Sequence, residues 1–332
     1  MAVEDAAGIK RANKARIRKL LVSGQGCTKQ QIARLTGLSV ASCNTYLNEM
    51  EAAGEVLGEK RRLHDVGRSA AVYRLNEEFE SILCVALALL GGRRVVRTEV
   101  LSPTGALRHR EERFPPRLDA AAVEKEIGAA LARFPNTGRI VVGTPSVAEN
   151  GVVRHSDLPE LEGAPLRAML EERFRLPVFL ANDMHYKAYG YYRQAGAAGE
   201  IVTLMNYPAG VLPGTATVYR GTVLTGRNLF AGMVGFLDYG MTPAQQIERL
   251  RRPTARPLVE QAAVALISIL NPHRLLFTGD LLEESDLEPI RAACLRCIPK
   301  EYMPDFVFLP DTEMYYRMGM YWTAVDRKEP TE

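Results

Sequence analysis

The chain has 332 residues, 47% of them hydrophobic, which leaves room for two or three domains with real apolar cores. The formal net charge of +3 is unevenly spread: residues 1–75 hold 13 Lys/Arg against 7 Asp/Glu, and the remainder holds 29 against 32. No apolar run reaches a membrane span and the opening MAVEDAAGIK lacks a signal-peptide core, so a cytoplasmic chain without a membrane partner is expected.

In chain order, the first predicted element is a helix over Asn13–Val22 that turns Ile17, Leu20 and Leu21 inward. The segment TKQQIARLTGLSVASCNTYLN then has the spacing of a helix-turn-helix. Thr28 caps a helix that buries Ile32 and Leu35, Ala33 permits close helix approach, and Gly37 supplies the positive φ of the turn. Ser39 caps a second helix whose apolar residues Cys43, Leu47 and Met50 fall at i, i+4 and i+7. Its other face offers Ser42, Asn44, Thr45 and Asn48, short hydrogen-bonding side chains able to reach base edges. A strand near Val56–Leu57, a basic tip from Lys60 to Arg68 and a return strand at Ala71–Leu75 complete a winged helix. A helical bundle with no nucleic-acid role would share the trihelical pattern. The basic charge favours DNA, with Lys60, Arg61, Arg62 and Arg68 placed for phosphates.

Beyond a short linker around Asn76–Glu80, ILCVALALL, RRVVRTEVL and ALRHREERF read as three successive strands. A helix at Asp119–Phe134, the strand RIVVGTP, a helix at Ala164–Phe174, the strand PVFLAND and a helix from about Met184 follow. The scheme repeats with EIVTLMNYP, TATVYRG and TVLTG, then the helix Arg256–Leu270, RLLFTGD, the helix Leu287–Ile298, DFVFLPD and the helix Glu313–Val325. Two such halves predict an α/β class: a winged helix-turn-helix followed by a duplicated actin-like ATPase-type fold of two lobes around a cleft. Residues 1–78 form the DNA-binding unit and 79–332 the body, in lobes of about 79–183 and 184–332, the last helix returning toward the first lobe. The five cysteines are scattered and odd in number, against a disulfide framework. Cys294 and Cys297 lie in a helical pattern with no second pair or nearby His, which reads as packing rather than a zinc or redox site. His64, His109, His155, His185 and His273 are too dispersed for a metal cluster.

The order winged helix, GTPSVAENGVV, then LPELEGAPLRAMLEERFRLPVFLANDMHYKAYGYY resembles the ROK family of repressors, open reading frames and sugar kinases. NPHRLLFTGD and MGMYWTAV are similar to that family's strand on the nucleotide side and its closing helix. The resemblance implies that Asn182 binds a sugar hydroxyl and that Asp183 is the base that deprotonates it. It also implies a homodimer, or a dimer of dimers, that sets two winged helices on palindromic double-stranded DNA.

The departures bear on activity. Family kinases carry an Asp followed by glycines and Thr on the first hairpin, whereas Ile82–Gly92 has no acidic residue. In the second phosphate loop Leu212 and Ala216 replace glycines, and Pro213 removes a backbone N–H. The family's Ala-Gly-Glu-x-Gly-His motif aligns with Ala231–Phe236, where Met233 replaces the sugar-holding Glu and Phe236 the zinc-ligating His. The Cys-rich zinc loop has no counterpart. The expectation is therefore a regulator, most naturally a repressor, with no enzymatic activity, no metal and no cofactor. Asn182, Asp183, His185, Met233 and Phe236 line whatever effector cleft remains, and a small-molecule effector is the partner that a sensor implies. Asp183 is equally readable as a relic that caps the following helix. A sugar kinase resting on Asp183, or a ligand-free dimerisation scaffold, are the alternatives.

Overall fold

The computed structural model describes residues 6–62 and 69–326. The first helix, α1 (Ala6–Leu21), begins seven residues before the predicted start, and a two-residue strand β1 (Cys27–Thr28) leads into α2 (Lys29–Thr36). Thr28 and Gln31 form a capping box, and Gly37 ends α2 at φ 72°. The recognition helix α3 (Val40–Ala52) starts from the Ser39 cap and buries Cys43, Leu47 and Met50. Leu35 departs from expectation: the two-turn α2 buries Ile32 and Ala33, while Leu35, in its last turn, is 59% exposed. Strands β2 (Val56–Arg62) and β3 (Ser69–Leu75) pair antiparallel from Val56↔Leu75 to Arg62↔Ser69, and β1 adds to the edge of β3. Lys60, Arg61 and Arg62 therefore belong to a strand rather than to the tip, because the ladder runs on past Leu57. Arg68 and His64 lie outside the described residues.

The body contains two five-stranded sheets. In the first lobe β4 (Ser81–Leu90), β5 (Arg93–Leu101) and β6 (Leu107–Arg113) form an antiparallel meander. After α4 (Ala120–Arg133), β7 (Thr137–Thr144) joins β4 in parallel. A small ribbon that the sequence pattern did not reveal, β8 (Val147–Glu149) with β9 (Val152–Arg154), precedes α5 (Leu166–Phe174). Strand β10 (Val178–Asn182) then adds in parallel to β7, giving the order β10-β7-β4-β5-β6. Helix α6 (Asp183–Gln194) leads to the second lobe, where β11 (Ile201–Asn206), β12 (Gly214–Tyr219) and the short β13 (Thr222–Val223) repeat the meander. Only the first two residues of TVLTG are strand. An unpredicted short helix α7 (Pro243–Arg249) and α8 (Arg256–Leu270) come next, then β14 (Arg274–Thr278), α9 (Leu287–Cys294), β15 (Asp305–Phe308) and α10 (Glu313–Asp326). The order β13-β12-β11-β14-β15 matches that of the first sheet, so the duplicated two-lobed architecture expected from the sequence is present.

Two helices tie the molecule together. Helix α6 packs Met184, Ala188, Tyr191 and Tyr192 on the second sheet, while its Tyr186 joins the core of the first lobe. Helix α10 crosses α6 and covers the first sheet through Tyr316, Met320, Tyr321 and Ala324. The crossing depends on two glycines: a Cβ on Gly190 would overlap the Tyr315 carbonyl, and one on Gly319 would overlap that of Tyr186. The same apolar cluster runs on into the winged helix through Ile17, Leu21 and Leu47. A polar chain parallels it: Asp326 at the end of α10 accepts from Tyr189 at 2.5 Å, pairs with Arg193, and meets Lys19 of α1 at 2.7 Å. No helix among the described residues is long and apolar enough to cross a membrane.

Candidate nucleic-acid interface and interlobe cleft

The exposed residues of α3 are Val40, Ala41, Asn44, Thr45, Asn48, Glu51 and Ala52, while the i, i+4, i+7 stripe is fully buried. Backbone and side-chain bonds settle what each predicted reader offers. Ser39 and Ser42 face each other: the Ser42 N–H donates to Ser39 Oγ at 3.0 Å, and Ser39 Oγ–H donates to Ser42 Oγ at 2.9 Å. Both serve the cap, and Ser42 is only half-exposed. Thr45 Oγ–H donates to the Ala41 carbonyl at 3.2 Å, leaving its methyl and an acceptor lone pair outward. Lys29 Nζ donates to Asn44 Oδ1, so the Asn44 amide turns its NH2 to solvent. Asn48 is exposed on the next turn. Lys60 is exposed on the wing strand facing away from the core. Lys29 also lies 5.4 Å from the Tyr73 ring centroid, which places a cation between recognition helix and wing; its spacing in the sequence gave no signal of this.

Asn182, predicted to line the cleft, lies beside Thr144 at the carboxyl ends of β10 and β7, where open α/β sheets gather ligands. There Thr144, Ser146 and Ser156 form a hydroxyl chain, at 2.9 Å and 2.6 Å. Asn182 is committed at both ends of its amide. Oδ1 accepts from the Met184 N–H at 2.8 Å, and Nδ2 donates to the Ser146 carbonyl at 3.0 Å. Asn182 is thus the cap of α6, and Asp183 is the first helical residue, which corrects the reading of Asp183 as the cap. The Asp183 carboxylate accepts from Lys187 Nζ at 2.5 Å, one turn along. Lys187 in turn sits 5.3 Å from the Tyr316 ring centroid.

Two cleft groups escaped the sequence reading. Asp157, in the loop after β9, is exposed at the surface, yet neighbouring protein partly desolvates its carboxyl. That desolvation, together with the Asp183 charge, pushes its pKa up to about 6. Tyr316 is 7% exposed, and its hydroxyl has no hydrogen-bond partner among the described residues. Burial, with Asp183 nearby, raises its pKa well above the ordinary tyrosine value. The space it occupies exists because residue 143 is glycine: a Cβ there would overlap the Tyr316 hydroxyl. Neither residue sits in a motif; only the fold brings them beside Asp183.

On the second lobe, backbone groups of the segment that the resemblance aligns with the phosphate loop bond to one another. The Gly235 N–H donates to the Pro213 carbonyl at 3.2 Å, and Thr215 N–H donates to the Gly232 carbonyl at 2.8 Å. A Cβ on Gly235 would come within 2.9 Å of Leu212 Cβ. Met233 is half-buried, and Phe236 is 56% exposed. Phe236 packs on Phe230 with centroids 5.2 Å apart, and Phe230 meets His155 of the first lobe edge-on at 6.3 Å. Aromatic rings thus span the two lobes where the zinc-ligating motif aligns. His185 is half-buried on α6. Among the described residues no group of three or more His, Cys, Asp or Glu could hold a metal ion. Cys294 is buried at the end of α9, with its thiol pushed up to about 11 by burial, whereas Cys297 lies beyond the helix and is exposed, so only one of the pair is packed.

Comparison with known proteins agrees with this geometry. Residues 88–246 match the ROK family, and residues 14–54 match the winged helix-turn-helix DNA-binding family. The xylose repressor of Caldicellulosiruptor bescii is 22% identical over 234 residues, covering 68% of this chain and 58% of that protein. The chain therefore spans less than two thirds of that curated relative. Among solved structures, a ROK family transcriptional regulator, a homolog of the E. coli MLC protein, superposes with a TM-score of 0.75 at 17% identity, over 96% of this chain and 97% of that one. A ROK hexokinase from Thermus thermophilus superposes with a TM-score of 0.56 at 20% identity, over 74% of this chain and 100% of that one.

Proposed function

Because the chain carries a ROK family domain behind an amino-terminal winged helix-turn-helix, we propose that it is a DNA-binding transcriptional regulator, acting as a repressor. In this reading residues 1–78 are the DNA-binding unit, and residues 79–332 are a non-catalytic body that assembles as a homodimer or dimer of dimers. The observation that carries it is α3 itself. Its buried stripe is complete, and its opposite face holds Asn44, Thr45 and Asn48 in solvent beside exposed Lys60. The sequence adds Arg61 and Arg62 to the same strand as further candidates for phosphate contact. Incubating the full-length protein with a random duplex pool and sequencing what it retains tests the reading. Enrichment of a palindromic site is expected, and a retained pool no different from the input would sink it.

Phosphoryl transfer is disfavoured by the same cleft. Catalysis of that kind is positioning and electrostatics. Here the first strand and its turn, Ile82–Gly92, have no acid, loop amides bond within the protein, and Asp183 is paired with Lys187. An ATP-dependent assay with a hexose panel should show no turnover. The Phe230–Phe236–His155 cluster and Met233 make the mouth of the cleft less polar than a sugar site, which supports a less polar effector. Calorimetry should find weak or no binding of unmodified hexoses. Tight hexose binding abolished by Asp183→Ala would restore an ordinary sugar sensor.

A further inference from the structure

The exposed face of α3 is not uniformly polar. Its first turn presents Val40, 52% exposed, and Ala41, also exposed, and these stand directly above Asn44 and Thr45 at the i+4 spacing. The Val40 isopropyl group contributes nothing to the core, since the buried stripe of α3 is supplied by Cys43, Leu47 and Met50. One turn on, Thr45 spends its hydroxyl hydrogen on Ala41, so what it adds outward is a methyl and an acceptor. Asn44 has one lone pair of its carbonyl held by Lys29 and turns its N–H donors outward. It can donate to N7 of a purine, to O6 of guanine or to O4 of thymine.

We propose that the first two turns of α3 form a thymine-selective surface, with Val40 as the specificity-determining residue that packs on a thymine 5-methyl group and Asn44 as an N–H donor to a neighbouring acceptor. The assignment rests on the DNA-binding reading above. The chemistry fits a recognition helix that enters the major groove by its amino-terminal end, because the thymine methyl is the one apolar group on the floor of that groove. Val40 and Ala41 are the apolar side chains that such an end presents first. Lys29, by holding Asn44, is a positioning residue.

The test uses the full-length chain and the duplex recovered by selection. Each thymine is replaced in turn by deoxyuridine, which removes the methyl and leaves the hydrogen-bonding edge unchanged. Binding is expected to weaken about fourfold at one thymine per half-site, the weight of one buried methyl-sized group. With Val40→Ala, which folds because the site is exposed and Ala favours helix, that penalty should disappear at the same thymine and persist elsewhere. Lys29→Ala, which frees the Asn44 amide to turn, should reduce discrimination at the position facing Asn44. An enriched site whose affinity is indifferent to every deoxyuridine replacement would overturn the proposal while leaving the regulator reading intact. So would a penalty of the same size in Val40→Ala. Failure to enrich any duplex would remove both.

Discussion

The recognition helix and the interlobe cleft both place an asparagine at the start or along the exposed side of a helix, yet the two are treated in opposite ways. On α3, Asn44 and Asn48 stand in solvent, and the fold takes only the Asn44 carbonyl. In the cleft, Asn182 gives one end of its amide to the Met184 N–H and the other to the Ser146 carbonyl, and Asp183 is bound to Lys187. Exposed polar groups stay bonded to water and can exchange it for a ligand; polar groups bonded from within hold the protein together. The difference separates a face whose amides are open to a partner from one whose amides are already bonded within the protein.

The sharpest way to break the comparison is to remove what holds the reading face in place. Leu47 is fully buried on the inner stripe of α3, and Leu47→Ala should cost about 2–5 kcal/mol, read as a lowered denaturant midpoint. DNA affinity should fall in step with the folded fraction. Substitutions on the outer face should do the reverse. Asn48→Ala is expected to lose about 1–3 kcal/mol of discrimination between the selected site and its variants, with no change in melting temperature. Its cleft counterpart, Asn182→Ala, should lower stability by about 0.5–2 kcal/mol through loss of the cap and leave DNA affinity unchanged. If Asn182→Ala instead altered only effector response with no stability change, the cleft would be a working site and the contrast would fail. Lys60→Ala should weaken binding evenly across sequences and reduce the salt slope by about 0.9.

How much of this was readable in the chain depends on how local the signal is. The cap-and-turn chemistry of Thr28, Gly37 and Ser39 acts within four residues, and so did the apolar period of α3, so the winged helix could be placed closely. The two lobes followed from the repeated order of apolar strands and helices. What failed was set by distance. Leu35 fits a helical period, but α2 is too short to carry it into the core. The β8–β9 ribbon is three residues a side and leaves no periodicity to see. Lys29 reaches Asn44 across 15 positions of sequence. Asp157 and Tyr316 flank Asp183 only because β9, α6 and α10 converge, and Gly143 admits the Tyr316 ring for a reason that no neighbour in sequence supplies.

Asp157 gives the smallest effect and the finest test of the cleft half of the comparison. Its pKa in the folded protein is about 6, against an ordinary Asp value near 3.8. The folded state therefore holds the proton more tightly than the unfolded chain does. By linkage, the stability from this group is fully present below the unfolded value and is lost as pH rises through about 6. Asp157→Asn fixes the neutral form and removes the repulsion with Asp183. The variant should melt higher than the parent at pH 7 to 8, and the gap should close as pH falls from about 6 toward 4. Because the side chain keeps solvent access, the gain should be modest and should shrink further in high salt. Paired thermal melts across that range would decide it. A gap that stayed constant with pH would mean that the two carboxylates do not sense each other, and a gap of opposite sign would mean that a charged Asp157 is held by a partner cation in the cleft.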